Sequence, residues 1–265
     1  MATYKKLLVA SAKGGVGKST TSLGLAVSLA KMGRKTLLID LDNVSRSLDL
    51  LSGASDMSTF DLGDVITGDE ISSVTPFSDN PALLFIPACT QSFAERISAE
   101  RDTAFTSLVR EAIDRIAKEA EYDFLVCDTG AGIEMAKAVC SAFDMVLIVS
   151  EQGATSVRAA DYAASELMSA GAGCMRLVIC SFDVESVKRE NRAGVIEIID
   201  RSELRCIGVV PYDPLLQKAQ DAGRLPGEKS LSTIAYINIA KRITGVDTPL
   251  FFGMKRYRKK LERAL

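Results

Sequence analysis

The chain has 265 residues, 47% of them hydrophobic, and a formal net charge of −2. That is enough apolar material for one large core, and no run approaches the ~20 apolar residues of a membrane span. Histidine is absent, which excludes histidine triads, histidine metal ligands and histidine general bases.

Hydrophobic patterning alternates between strand-like and helix-like runs almost throughout. Residues 5–11 read as a buried strand, and 20–31 as a helix with small or apolar residues at Leu23, Ala26, Val27 and Ala30. Strands follow at 36–41 and 82–87, then one long helix over about 94–119. Residues 123–127 and 144–149 read as strands, 155–169 as a helix, 176–180 as a strand and 185–201 as a helix. Residues 206–210 form the last strand, with helices near 215–222 and 230–243. This order predicts an α/β fold, a mainly parallel sheet with helices on both faces. A break at 245–249 divides a single domain, 1–248, from a basic amphipathic helix, 249–265.

Between the first strand and helix lies Ala-Lys-Gly-Gly-Val-Gly-Lys-Ser-Thr, residues 12–20. Gly14, Gly15 and Gly17 let the backbone bend so that successive N–H groups point at phosphate oxygens. The helix N-terminus behind them adds its positive dipole end. The nucleotide-binding set is therefore Gly14, Gly15, Val16, Gly17, Lys18, Ser19 and Thr20. Lys18 is placed to reach the β- and γ-phosphates, and the Ser19 hydroxyl to ligate magnesium. Lys13 is one lysine more than this pattern requires.

Ligands in such sheets sit at the carboxyl ends of strands, and polar chemistry clusters there. Asp40 and Asp42 close the second strand, and Asp128 follows Phe124-Leu125-Val126-Cys127. Pro211, Tyr212 and Asp213 follow the last strand. Asp128 is expected to organise magnesium through water. The six cysteines form no CxxC pair and are expected to be reduced, buried small hydrophobes; a cluster or zinc ligand set is the alternative.

Residues 250–265 carry a net charge of +5, leaving about −7 on the rest of the chain. Leu250, Met254, Tyr257, Leu261 and Leu265 are spaced as one helical stripe opposite the Lys and Arg side chains. Such a helix lies in an anionic membrane interface. Packing on the body, on a protein partner or on nucleic acid are the other readings; the acidic remainder argues against a broad DNA footprint.

Lys13 together with Lys18 resembles the deviant Walker A motif of the MinD/ParA group of P-loop ATPases (the SIMIBI class). Thr36-Leu37-Leu38-Ile39-Asp40-Leu41-Asp42 resembles the second acidic motif of that group. Residues 45–53, 60–69 and 128–134 are similar to the MinD version, except that Gly130 stands where proline is common. Ser156-Val157-Arg158 and Gly208-Val209-Val210-Pro211 continue the likeness, which covers roughly residues 3–245.

The resemblance implies a P-loop ATPase using ATP/ADP and Mg2+. Lys13 would reach across a homodimer interface to the phosphates of its partner's ATP. Lys18 and Ser19 would act in their own subunit, Asp42 would position the attacking water, and Asp40 would lie near magnesium with Ser19 and Asp128. Glu151 would hold interface water. Adenine would lie against Pro211 and Asp213, with Asp183 opposite. The tail resembles a membrane-targeting helix, giving a cytoplasmic protein peripheral on the membrane that helps position the division site and responds to an activating protein. A DNA-segregation ATPase of the ParA kind and a flagellar-number regulator are the alternatives.

Overall fold

Seven apolar runs become seven strands: β1 (Lys5–Ala10), β2 (Thr36–Asp40), β3 (Leu83–Ile86), β4 (Phe124–Asp128), β5 (Met145–Ser150), β6 (Met175–Phe182) and β7 (Cys206–Pro211). The computed structural model describes residues 5–53, 60–69, 74, 76, 80–119, 121–189, 192–224, 226–255 and 257–261. The strands form one sheet in the order β3-β2-β4-β1-β5-β6-β7, with every neighbouring pair parallel. Every residue of β2 and β4 is buried, as expected of strands covered on both faces.

The helices are α1 (Lys18–Lys31), α2 (Ser47–Ser52), α3 (Leu62–Thr67), α4 (Gln91–Arg101), α5 (Phe105–Glu119), α6 (Glu134–Val139), α7 (Ala154–Ser169), α8 (Val184–Lys188), α9 (Val195–Ser202), α10 (Pro214–Asp221), α11 (Leu231–Ile243) and α12 (Arg258–Leu261). Helices α1, α2, α10 and α11 make one connected layer; α3 to α7 and α9 make the other. The approach of α1 to α11 depends on Gly24, where a Cβ would lie 2.4 Å from the Tyr236 ring.

Two expected helices are each divided. The run 94–119 breaks because Asp102 turns into the left-handed region at φ 47° and its N–H bonds back to Ala99. The run 185–201 becomes α8 and α9, with Gly194 extended ahead of Val195.

The tail departs most from expectation. Phe251 and Met254 join the core at 4% and 2% exposure, and Leu250 packs against it. Asn238 Nδ2 donates to Phe252 O at 2.8 Å, and Arg242 Nε donates to Thr248 O at 2.7 Å. Gly253, at φ 82°, completes a turn in which a Cβ would lie 3.3 Å from Ile234 Cγ2. A helix running from residue 249 is thus corrected: the described helical residues begin at Arg258. Burial of Phe251 and Met254 on the domain outweighs the helical spacing, so Leu250 and Met254 are not free for a solvent-facing stripe. Tyr257 remains exposed at 43%; Leu265 and the Leu261 side chain lie outside the described residues.

Candidate functional site

Because all strands are parallel, their carboxyl ends share one edge of the sheet, and the expected polar residues gather there. The loop between β1 and α1 turns through Gly15 (φ 75°) and Gly17 (φ 94°), both left-handed conformations that suit glycine. Gly17 precedes α1 without any side-chain cap. The first-turn N–H groups of a 14-residue helix therefore point into a cleft lined by Gly14, Lys18, Ser19, Asp42, Ser47 and Thr129. Val16 is buried beneath the loop.

Strand register explains the acidic side of the cleft. Asp40 and Asp128 are directly paired across β2 and β4, and both are buried at 1% and 0% exposure. Burial pushes the Asp128 carboxyl up to about 6, against the pull of the Ser19 and Ser22 hydroxyls and the Lys18 ammonium. Burial, then the Asp128 charge, pushes Asp40 up as well. Burial lowers the Lys18 ammonium, while Asp128 and Asp42 oppose that shift.

Hydrogen bonds fix the geometry. The Ser22 hydroxyl donates to Asp128 Oδ1 at 2.7 Å, but Asp128 Oδ2 is buried without a hydrogen-bond partner among the described residues. The Ser47 hydroxyl donates to Ser19 Oγ at 2.9 Å. Asp40 Oδ1 accepts the Asp42 N–H at 2.8 Å. Asp42 Oδ1 accepts the N–H groups of Val44 and Ser45 at 3.1 and 3.0 Å. A buried carboxylate oxygen lacking a donor, beside a second buried carboxyl and a serine hydroxyl, is the chemistry that a hard divalent cation satisfies. No cluster of three or more Cys, Asp or Glu among the described residues makes a metal site unaided, so magnesium fits here as a companion of phosphate. The cysteines are unbridged, and burial pushes Cys180 up to about 11 and Cys89 to about 12, so neither offers a thiolate.

The raised carboxyls give a pH prediction. Asp128 binds its proton more tightly folded than unfolded, so its stabilising contribution is complete below about pH 4 and is lost as pH rises through about 6. Asp40 acts in the same direction. Nucleotide-free protein is expected to be more stable at about pH 5 than at about pH 7.5, by on the order of 2 kcal/mol. Asp128→Asn is expected to reduce that slope and to leave the part that burial of Asp40 contributes, as urea unfolding at both pH values would show.

Lys13 stands apart from this cleft. Its Nζ donates to Ser156 Oγ at 2.8 Å and lies 3.9 Å from Glu151 Oε2, with 39% of the side chain exposed. Lys13 and Glu151 are thus brought together, at the first turn of α7.

The neighbouring pocket, where the sequence places the adenine contacts as an expectation, is lined by Thr20, Ser181, Pro211, Tyr212, Asp213 and Gln217. The Asp213 carboxylate is already committed: Oδ1 caps Leu215 N–H at 3.1 Å, and Oδ2 accepts the Ser232 N–H and hydroxyl at 3.0 and 2.8 Å. Its backbone carbonyl accepts the Leu216 N–H at 3.0 Å. Asp183 is not brought into this lining; its carboxylate caps α8 through Glu185 N–H and Ser186 Oγ. Its N–H donates to the buried Gln152 at 2.6 Å. Sequence reasoning did not single out Ser22, Ser47 or Gln220, whose Nε2 donates to Thr20 Oγ1 at 3.0 Å, as site residues. Ser22 carried a signal, since it lies one turn beyond Lys18 on the face of α1 that meets the strand ends.

The family described as the CobQ/CobB/MinD/ParA nucleotide binding domain matches residues 7–226. The septum site-determining protein MinD of Synechocystis is 30% identical over 264 residues, covering 97% of this chain and 96% of its own. The MinC:MinD cell division protein complex of Aquifex aeolicus contains a chain of TM-score 0.82 and 28% identity, covering 93% and 98%. The Pyrococcus horikoshii MinD complexed with Mg-ADP shares the fold at TM-score 0.77 and 21% identity, covering 91% and 96%. With its two-lysine loop, paired strand-end carboxylates and parallel seven-stranded sheet, the chain belongs to the MinD/ParA family of nucleotide-binding P-loop proteins and is similar in sequence to septum site-determining MinD proteins.

Proposed function

We propose that this protein is an ATP-dependent dimerising switch of the MinD type that hydrolyses ATP to ADP and phosphate and acts at the inner membrane surface to position the division site. The observation that carries the reading is the division of labour between two lysines. Lys18 is buried in its own cleft, whereas Lys13 is held outside it on Ser156, partly exposed. A cation so placed is available to a second copy.

Phosphoryl transfer spreads charge over the γ-phosphoryl oxygens, and aligned donors and cations stabilise it. The N–H groups of Gly14, Gly15 and Gly17 and the Lys18 ammonium would bind the phosphates. Asp42 would align water, and Lys13 of one copy would complete the cation set of the other. Ser19, Asp40 and Asp128 would hold magnesium, which when bound supplies further charge neutralisation. Activation then depends on dimerisation, which suits a timer rather than a metabolic catalyst. The Aquifex relative's assembly with MinC supports an activating or effector protein for this chain as well.

The basic segment supports membrane contact. Lys255 and Lys259 are exposed, and Lys260 pairs with Glu185 at 3.1 Å on the exposed surface. Each Lys or Arg near an anionic leaflet contributes about 1 kcal/mol. Dimerisation makes the second tail's binding intramolecular and raises avidity by about 10²–10⁴. The full chain is expected to pellet with anionic liposomes in Mg-ATP but not Mg-ADP. Replacing Lys255, Lys259 and Lys260 with Ser is expected to weaken that binding by about 10²-fold. Equal pelleting of both proteins would remove the membrane claim, and an unchanged mass by light scattering on adding Mg-ATP would remove the switch.

A further inference from the structure

We propose that Gly130 is the positioning residue for Asp42: the absence of a side chain lets the loop after β4 close on the Asp42 carboxylate and hold it in its turn. The inference rests on the reading of Asp42 as the group that aligns the attacking water.

A Cβ at Gly130 would lie 2.8 Å from Asp42 Cγ, 2.9 Å from Oδ1 and 3.2 Å from Oδ2. It would come closer to Cγ and Oδ1 than real Cβ atoms come, and would press on Oδ2 more tightly than ordinary contact. Gly130 is not among the residues of positive φ, so alanine suits its backbone and the conflict is purely steric.

The loop is anchored at three points. Thr129 donates twice to Val9 O, from its N–H at 3.2 Å and its hydroxyl at 2.9 Å. Gly132 is bridged to Ser11 on the far side. The Asp128 carbonyl accepts the Leu41 N–H at 2.8 Å, which fixes the loop's root to the strand that leads into Asp42. The Asp42 backbone is held in turn by Asp40. Only the carboxylate can move, and its way out breaks its bonds to the Val44 and Ser45 N–H groups. Gly130 and that turn therefore both border Asp42 Oδ1.

The test compares Gly130→Ala, Asp42→Ala and the double variant of the full chain. For Gly130→Ala, kcat for Mg-ATP hydrolysis is expected to fall by about 10- to 10²-fold, the scale of an ångström-sized misplacement. KM for ATP should stay within about twofold. Amide exchange at Val44 and Ser45 is expected to accelerate. The double variant should be no slower than Asp42→Ala, because the two changes act through one group. Wild-type kcat and wild-type exchange in Gly130→Ala would overturn the inference, as would multiplicative losses in the double variant. If Asp42→Ala leaves kcat unchanged, the water-aligning reading fails, and exchange at Val44 and Ser45 alone decides whether Gly130 positions the carboxylate. Should Gly130→Ala fail to fold, recovery of the Asp42→Ala melting temperature in the double variant supports the clash, and no recovery overturns it.

Discussion

Lys18→Ala is expected to lower nucleotide affinity by about 10²- to 10³-fold, the range for truncating one partner of a buried charge set. The lysine is 7% exposed, and burial alone would disfavour its charge. Asp128 and Asp42 offset part of that penalty. Its removal acts twice, since the phosphates lose a point charge and two carboxylates lose their cation. The β2–β4 register already forces Asp40 against Asp128; without Lys18, an incoming polyphosphate meets uncompensated negative charge. Lys18→Arg is not expected to rescue binding, because a planar guanidinium is broader than the ammonium it replaces. Titration with a fluorescent ADP analogue at fixed pH would measure the loss, and undiminished affinity would contradict this role for Lys18.

The phosphate loop was legible from sequence because each of its requirements is local. Glycines at 15 and 17 adopt the positive φ values their pattern demands, and the helix starts at Lys18 without a competing cap. Asp40 and Asp128 were also visible, as acids that end apolar runs. Their adjacency was not, because it depends on β4 inserting between β1 and β2. The break at Asp102 was hidden for a related reason: the residues beyond it continue an apolar period that the bend simply redirects into α5. The tail misled in the other direction. Its four- and three-residue spacings suit a helix, yet Phe251 and Met254 are buried on the domain and Gly253 turns the chain. Periodicity reports which residues share a face only once the backbone is helical. Asp183 illustrates the same limit, since a residue near the strand end in sequence is drawn away by capping α8.

Lys13→Ala is expected to leave nucleotide binding within about twofold while abolishing ATP-driven dimerisation and lowering stimulated hydrolysis by at least about 10²-fold. A cation supplied in trans to a phosphoryl-transfer site contributes about 10³–10⁵ in kcat in well-studied cases, so the stated loss is a lower bound. The separation of effects follows from geometry. Lys13 bonds to Ser156 Oγ at 2.8 Å and approaches Glu151 at 3.9 Å, and it does not line its own phosphate cleft. Its removal therefore takes nothing from the monomer's site, unlike Lys18→Ala. Ser156→Ala supplies the complementary variant. It frees Lys13 from its resting hydrogen bond, so ATP-driven dimerisation should be retained or strengthened. If Lys13→Ala still doubled in mass with Mg-ATP by light scattering, the lysine would be no more than a surface partner of α7. Dimerisation would then have to arise from the exposed apolar residues beside the cleft, Val44, Leu50, Tyr212 and Leu215, whose burial is driven by area and carries no dependence on the γ-phosphate. Comparing Mg-ATP with Mg-ADP in both variants separates these two origins, because only a lysine that meets the γ-phosphate makes assembly sensitive to its loss.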